Sequence, residues 1–381
     1  MAHGFLNGSR YDENNSSVVE LIERTVVDAK IPAGVKTIGM YAFASCKNLK
    51  SAKIPSSVTS ILNSAFHDCV ALEAIDIPDS VTIIKGSVFH GCAGLKSIRL
   101  PQNLTVLDAN LLYQCSSLTY VKIPPKIKQI FGSALRCANC LIFDFSDVEQ
   151  VPTLSHTNAF LEILDEAKIF VPAHLYDEWV VATNWATYSD HIVAVYDAPE
   201  VVVPEGVSEG LDYTLGGDSW SHGYTVAGIG ACTDSVLVIP SEHNGLPVTE
   251  FQECCFSGNT SIKEAYIPES IEYLRYAFSD CSVEKVYIDI SSVNSFEFTG
   301  VASLKYAKFT RLINLGGGTF TGCTDAIFDF SECSAVPDFD SYGYGSEFGT
   351  NPTIMVPVEL YAQWIADTNW SIYADHIVPV K

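Results

Sequence analysis

Twelve cysteines, nine histidines and two recurring Asp-His pairs are the groups of this 381-residue chain whose types could do chemistry. Cys46, Cys69, Cys92 and Cys115 follow at a constant step of 23. In coils stacked about 4.8 Å apart, such a column could form disulfides or a metal ladder. The same slot, however, holds Ala138, Asn259, Cys281, Val301 and Cys323. A slot that accepts Ala, Asn, Val or Cys is a small buried niche, which predicts free structural thiols. Cys137-x-x-Cys140 has redox or zinc spacing, but lacks the second C-x-x-C of a zinc site and any thioredoxin-like pattern around it. Adjacent Cys254-Cys255 offers an oxidisable pair. His67 and His90 sit one step apart and should stack at the surface without a third ligand, as solvated side chains. Asp190-His191 and Asp375-His376 resemble acid/base dyads, yet each stands beside the same Trp and Tyr, which points to a structural role. No G-x-S-x-G, H-E-x-x-H, Walker A or G-x-G-x-x-G is present. The reading is a non-enzyme with no catalytic residue, no metal and no cofactor.

What must position these residues is a repeat. Ile31-Pro32, Ile54-Pro55, Ile77-Pro78, Leu100-Pro101 and Ile123-Pro124 recur every 23 residues. Val35, Val58, Val81, Leu104, Ile127 and Phe43, Phe66, Phe89, Leu112, Leu135 keep the same step. A single unit buries too few side chains, at about 1.5 to 3 kcal/mol for each large one, to offset its backbone entropy. Stacked units share one core, so the pattern predicts a solenoid with specialised caps. Within a unit, Ala52 and Ile54 face in while Ser51 and Lys53 face out, the period of a short strand. The proline then stops every strand at the same place.

The pattern L-x-x-[AVI]-x-[IL]-P-x-x-[VLI]-x-x-[IL]-x-x-x-[AVL]-[FL]-x-x-C resembles the BspA-like class of leucine-rich repeats. It holds strict register over residues 31–145 and returns, degraded, over about 236–330. The resemblance implies a right-handed solenoid with short parallel strands, found in surface-exposed or secreted proteins that bind other proteins, host matrix proteins included. It implies no catalytic activity.

Residues 132–195 align with 317–380 at a constant offset of 185, so the chain carries two copies of one C-terminal cap. Ile142-Phe143-Asp144-Phe145-Ser146 returns as Ile327-Phe328-Asp329-Phe330-Ser331. A helix is expected in each cap, near 173–183 and 358–368, to cover the last coil. The organisation reads as an N-terminal cap, 1–30, with Ser16-Ser17 capping a short helix; a first repeat module, 31–145; its cap, 146–196; and a Pro/Gly/Glu-rich linker, 197–210. A β-hairpin cap, 211–238, a second repeat module, 239–330, and its cap, 331–381, complete it.

The outward strand columns carry the functional expectation. Copy one reads Ser51, Ala74, Ser97, Tyr120, Phe143 and Lys30, Lys53, Asp76, Arg99, Lys122, Phe145; copy two reads Glu264, Lys285, Tyr306, Phe328 and Tyr266, Tyr287, Lys308, Phe330. Aromatic and cationic rows of this kind have the composition of an interaction hot spot. Lys53, Arg99, Tyr120 and Lys122, with Tyr266, Tyr287, Tyr306 and Lys308, are therefore the candidate partner-binding residues. A formal charge of −23 disfavours nucleic acid and anionic membrane. Residues 1–17 lack a basic start with an apolar run, and no stretch is long and apolar enough to span a bilayer, so the chain reads as soluble and by default monomeric. The expected role is binding of a protein or glycoprotein at the cell surface or outside the cell. The alternatives are a receptor-binding or spacer part of a phage tail or surface fibre, and a cytoplasmic scaffold.

Overall fold

A computed structural model of the chain describes residues 3–6, 9–12, 17–21, 25–215, 223–340 and 348–381, with side chains for residues 25–215, 223–339 and 348–381. The chain divides into two compact units, Met1–Val195 and Tyr196–Lys381. Each is a parallel β-solenoid. In the first unit, strands Asp28–Lys30, Ser51–Lys53, Ala74–Asp76, Ser97–Arg99, Tyr120–Lys122 and Ile142–Asp144 are stacked one per coil. The first two pair in parallel as Asp28 on Ser51 through Lys30 on Lys53, the 23-residue step of the sequence. A second row of two-residue strands, such as Thr37–Ile38, Ser60–Ile61 and Ile83–Ile84, turns each coil's far side.

The repeated columns are the core. Val35, Val58, Val81, Leu104 and Ile127 are buried, as are Phe43, Phe66, Phe89, Leu112 and Leu135. Phe43 and Phe66 stack at 4.9 Å and 2° between planes, and Phe66 and Phe89 at 5.7 Å and 14°. Each coil therefore buries its aromatic or leucine side chain against the next coil, and no coil closes a core alone. The corner after the second strand demands left-handed backbone: Tyr41, Ser64, Ser87, Asn110 and Ser133 all have φ between 55° and 59°.

The second unit carries a seven-stranded parallel sheet, from Val236–Val238 through Glu264–Ile267, Lys285–Ile288, Tyr306–Phe309, Ile327–Asp329 and Thr353–Pro357 to Ile377–Val380. Its entrance is the expected hairpin, Asp212–Leu215 antiparallel to Tyr224–Gly228; the turn between them lies outside the described residues. The expected cap helices are present as short helices, Tyr176–Val181 and Tyr361–Ala366, each preceded by a 3-10 turn.

Two expectations are corrected. The segment read as an N-capped helix is a strand, Ser17–Leu21, antiparallel to Ser9–Asp12 and parallel to Thr37–Ile38; Ser16 lies outside the described residues. A five-residue run with β-branched Val18 and Val19 is too short for a helix, and its neighbouring coil offers a strand to pair with. The second correction is register. Tyr120 lies opposite Ile142 and Lys122 opposite Asp144; Tyr306 lies opposite Ile327 and Lys308 opposite Asp329. Phe143, Phe145, Phe328 and Phe330 thus face inward and are buried. One coil is a residue shorter than the 23-residue rule, and a one-residue slip exchanges the two faces of a strand.

Candidate functional site

The outward strand faces place the candidate side chains in rows. In the first unit, Lys30 and Lys53 are paired neighbours, both exposed. Arg99 reaches Asp79 at 2.8 Å and Asp76 at 3.6 Å, and donates to the Ile77 carbonyl at 3.0 Å. The backbone N–H of Gln102 and then the Arg99 guanidinium hold the Asp79 carboxyl below its usual range. Tyr120 and Lys122 converge on Asp144: the phenol donates to Oδ2 at 2.7 Å and the ammonium at 2.9 Å. Asp144 is fully buried and also accepts the Ser146 N–H at 2.8 Å, while Lys122 adds Asp147 at 2.8 Å. The face thus joins Arg99, Tyr120 and Lys122 in neighbouring coils, and Asp76 stands between Arg99 and Lys53 in the same column.

The second unit repeats the constellation. Tyr306 donates to Asp329, and Lys308 lies 3.7 Å from Asp329 and 2.8 Å from Glu332. Tyr266 and Tyr287 stack at 4.3 Å and 11°, and Tyr306 follows at 5.9 Å. Lys308 is only 6% exposed, so its charge serves the carboxylates around it before any outside group. The buried carboxylates Asp144 and Asp329 were not singled out from sequence. The signal was there in the Phe-Asp-Phe-Ser duplicated between the copies, an acid between two buried aromatics.

The cysteine column forms a sulfur ladder. Cys69, Cys92 and Cys115 each donate at 3.1 Å to the carbonyl of the phenylalanine 26 residues earlier, Phe43, Phe66 and Phe89. A weak donor in a small niche adds a second bond to a carbonyl of the preceding coil. Ala138, assigned to this slot by the 23-residue step, is exposed, and Cys137 is buried in its place because that coil is one residue shorter. All twelve thiols are free. Burial pushes those of Cys115, Cys255 and Cys323 up to about 12 and that of Cys333 up to about 11. Cys137 is raised first by a hydrogen bond with Cys140 and then by burial. Because the thiolate is the reactive form, these groups stay inert through pH 9. At pH 8 an aromatic disulfide reagent should titrate one thiol quickly, exposed Cys254, and the remaining eleven only in denaturant. Rapid titration of three or more would contradict this packing.

His67 and His90 lie with ring centroids 4.5 Å apart, followed by Tyr113 at 4.8 Å. Arg136 lies over Tyr113. Burial and then the charge of His67 hold the His90 pKa down. Among the described residues no group of three or more His, Cys, Asp or Glu is placed to hold a metal ion. His191 donates Nδ1–H to the Ala167 carbonyl at 2.9 Å, tying the cap to the last coil.

Two solenoid units built from stacked strand-and-turn coils with a repeated inward pattern define a leucine-rich repeat protein. The sequence model of the BspA type leucine rich repeat region matches residues 23–142 and 238–345 with six copies, more than half of the chain, and the protein belongs to that family. Similar solved structures include a leucine rich repeat protein of T. pallidum, 23% identical, covering 45% of this chain and 78% of that one with a TM-score of 0.36. A leucine rich cell surface protein of Faecalibacterium prausnitzii is 17% identical over 90% of this chain and 95% of that one, TM-score 0.32. A leucine-rich repeat protein of Bacteroides ovatus is 16% identical over 100% and 97%, TM-score 0.32. No curated protein gives a significant match. No helix among the described residues is long and apolar enough to cross a membrane.

Proposed function

We propose that this chain is a non-catalytic binding protein of the cell surface or extracellular space, whose strand faces hold a protein or glycoprotein partner. The observation that carries the reading is the row of outward side chains on the stacked strands of the first unit, Lys53, Arg99, Tyr120 and Lys122; in the second unit Tyr287 and Tyr306 are half-buried, and Tyr266 and Lys308 are buried beneath them as the floor of the row. Parallel pairing fixes such a row at about 4.8 Å per coil, so the face is preorganised and its aromatic and cationic groups lose little entropy on binding. Two such faces on one chain raise avidity when a partner presents repeated epitopes.

The test is surface binding of the purified chain to matrix glycoproteins, glycans and whole cells, beside a K53A/R99A/Y120F variant. Lys53 and Arg99 are exposed, and Tyr120→Phe removes one hydroxyl, so Lys122 keeps Asp144 and the fold is retained. Saturable binding that weakens at least about tenfold in the variant is the expected result, a hot-spot effect spread over three residues. Binding unchanged by the variant would remove this face from the proposal.

A further inference from the structure

Residues 196–208 cross the second sheet from its last strand to its first. Tyr196 bridges to Val380, and Ala198 donates to the Lys381 carbonyl at 2.9 Å. At the other end Ser208 donates its N–H to Val238 at 2.9 Å, and its hydroxyl oxygen accepts the Val238 N–H at 3.0 Å. Ile377–Val380 and Val236–Val238 are the two edges of the seven-stranded sheet. Six inter-strand spacings come to roughly 29 Å, and the ten steps from 198 to 208 reach roughly 33–36 Å when extended. The segment is thus a strap with little slack, bent at Gly206 (φ 91°), although its composition resembles a linker.

Between strap and sheet lies a groove of about 390 Å³, walled by Val201 and Val203 on one side and by Tyr266, Tyr287, Ile288 and Lys308 on the other. Among the described residues the backbone between Pro199 and Val207 makes no hydrogen bond. Val202 and Val203 are 75% and 60% exposed. The β-branched run Val201-Val202-Val203, between Pro199 and Pro204, has unused N–H and C=O groups and is a template for one more short strand.

The charges select the occupant. Of the net −23, the second unit holds −19, with seven Lys and Arg against 26 Asp and Glu; the first unit holds only −4. Six of those seven cations are already ion-paired inside the unit: Lys263, Arg275, Lys285, Lys308, Arg311 and Lys381. Glu200 and Glu205 on the strap are exposed and make no ion pair among the described residues. Asp289 and Glu332 line the sheet side of the groove. Both are already paired, Glu332 with Lys308 and Asp289 with Arg311, each at 2.8 Å, so the uncompensated carboxylates are those of the strap, Glu200 and Glu205, on a unit whose net charge attracts cations.

We propose that this groove binds an extended, lysine- or arginine-bearing polypeptide segment, which adds as a strand along the strap and sets its basic side chains against Glu200 and Glu205. The site rests on the reading of the chain as a binding protein and names a partner chemistry for its second unit.

Fluorescence anisotropy on the full chain, at low and physiological ionic strength, tests it with three probes: a short labelled peptide alternating lysine with valine and threonine, its glutamate counterpart, and spermine as competitor. The expected result is saturable, salt-weakened binding of the lysine peptide and none of the glutamate peptide. The E200Q/E205Q variant should lose about tenfold. Val202→Pro, which deletes one strap N–H at an exposed position, should weaken the peptide by a similar factor and leave spermine unchanged. Absence of saturable binding at low salt overturns the site. So does peptide binding unaffected by Val202→Pro, or matched by spermine, because charge alone would then explain it. The K53A/R99A/Y120F variant should keep full peptide affinity. Glycoprotein or cell binding that persists while the lysine peptide fails would sink the groove and leave the first-face reading standing.

Discussion

Replacing Asp144 by alanine should destabilise the first unit by about 2–4 kcal/mol at neutral pH, read from urea unfolding midpoints. The carboxylate is fully buried, and Tyr120, Lys122 and the Ser146 N–H all donate to it. Its loss removes the acceptor that the phenol and the ammonium share in a half-buried setting. Lys122 retains Asp147 at 2.8 Å and is one-third exposed, which keeps the expected loss below that of a fully buried pair. Replacing the whole cluster by apolar groups, Tyr120→Phe with Lys122→Met and Asp144→Leu, should recover part of the stability, because the phenol and the ammonium leave together with the carboxylate and the Ser146 N–H is the buried donor that loses its acceptor. A triple variant as unstable as Asp144→Ala would show that packing, rather than charge, is at stake. The pH dependence has a definite sign. Burial opposes the Lys122 ammonium, but Asp144 and Asp147 outweigh it and hold its pKa above the ordinary lysine value. The raised pKa means that the stabilisation is fully present below the ordinary value and is lost as pH climbs through the raised one. Wild type should therefore keep its margin over Lys122→Met through pH 9 and lose it only in strong alkali.

The inward half of this protein could be read from its sequence because each inward position recurs and each is under the same steric demand. Val35, Phe43, Cys46 and Leu49 and their successors through Leu118 are buried as the 23-residue step requires, whereas Ala138 is exposed and Leu141 half-buried, their places taken by Cys137 and Cys140. The outward half was legible only while that step held. One shorter coil between Tyr120 and Ile142 moves Phe143 and Phe145 into the core and brings Ile142 and Asp144 under the face, and its mark in the sequence is Cys137, 22 rather than 23 residues after Cys115. The strap is a harder case. DAPEVVVPEGVSEG has the Pro, Gly and Glu content of a linker, and what makes it a wall is its attachment to Val238 and Lys381, residues distant in sequence. Local composition reports what a segment cannot form by itself; it carries nothing about which edges an extended chain will reach. The N-terminal Val18-Val19 run failed for a related reason, since pairing with the next coil outweighed the apparent N-cap.

Trp185→Ala should be the most damaging single change in the first unit, about 3–5 kcal/mol from the lost ring and its cavity, with about 1–3 kcal/mol more for an orphaned carbonyl. Trp185 is fully buried, with ring centroids of Phe145, Phe160 and Trp179 at 5.5, 5.6 and 5.0 Å, and its indole N–H donates to the Pro152 carbonyl at 2.6 Å. The second unit repeats the latch in Trp370, donating to Pro337 at 2.9 Å. Asn184 and Asn369, one residue earlier, fasten the same loops by donating to Leu154 and Phe339. In a solenoid the last coil has no neighbour beyond it, so loss of the cap exposes Phe145 and Phe160 and lets unfolding start at that end. The neighbouring tryptophan supplies an internal control. Trp179 is equally buried, yet its indole N–H has no hydrogen-bond partner, and Trp364 repeats this in the second cap. Trp179→Phe therefore removes a buried donor that was never satisfied, whereas Trp185→Phe removes the same atoms and breaks a bond. The second substitution should cost about 1 kcal/mol more than the first, measured by urea unfolding of the full chain. Equal losses would mean that the caps are held by ring volume alone, and that the Trp185 bond to Pro152 contributes nothing to closing the solenoid.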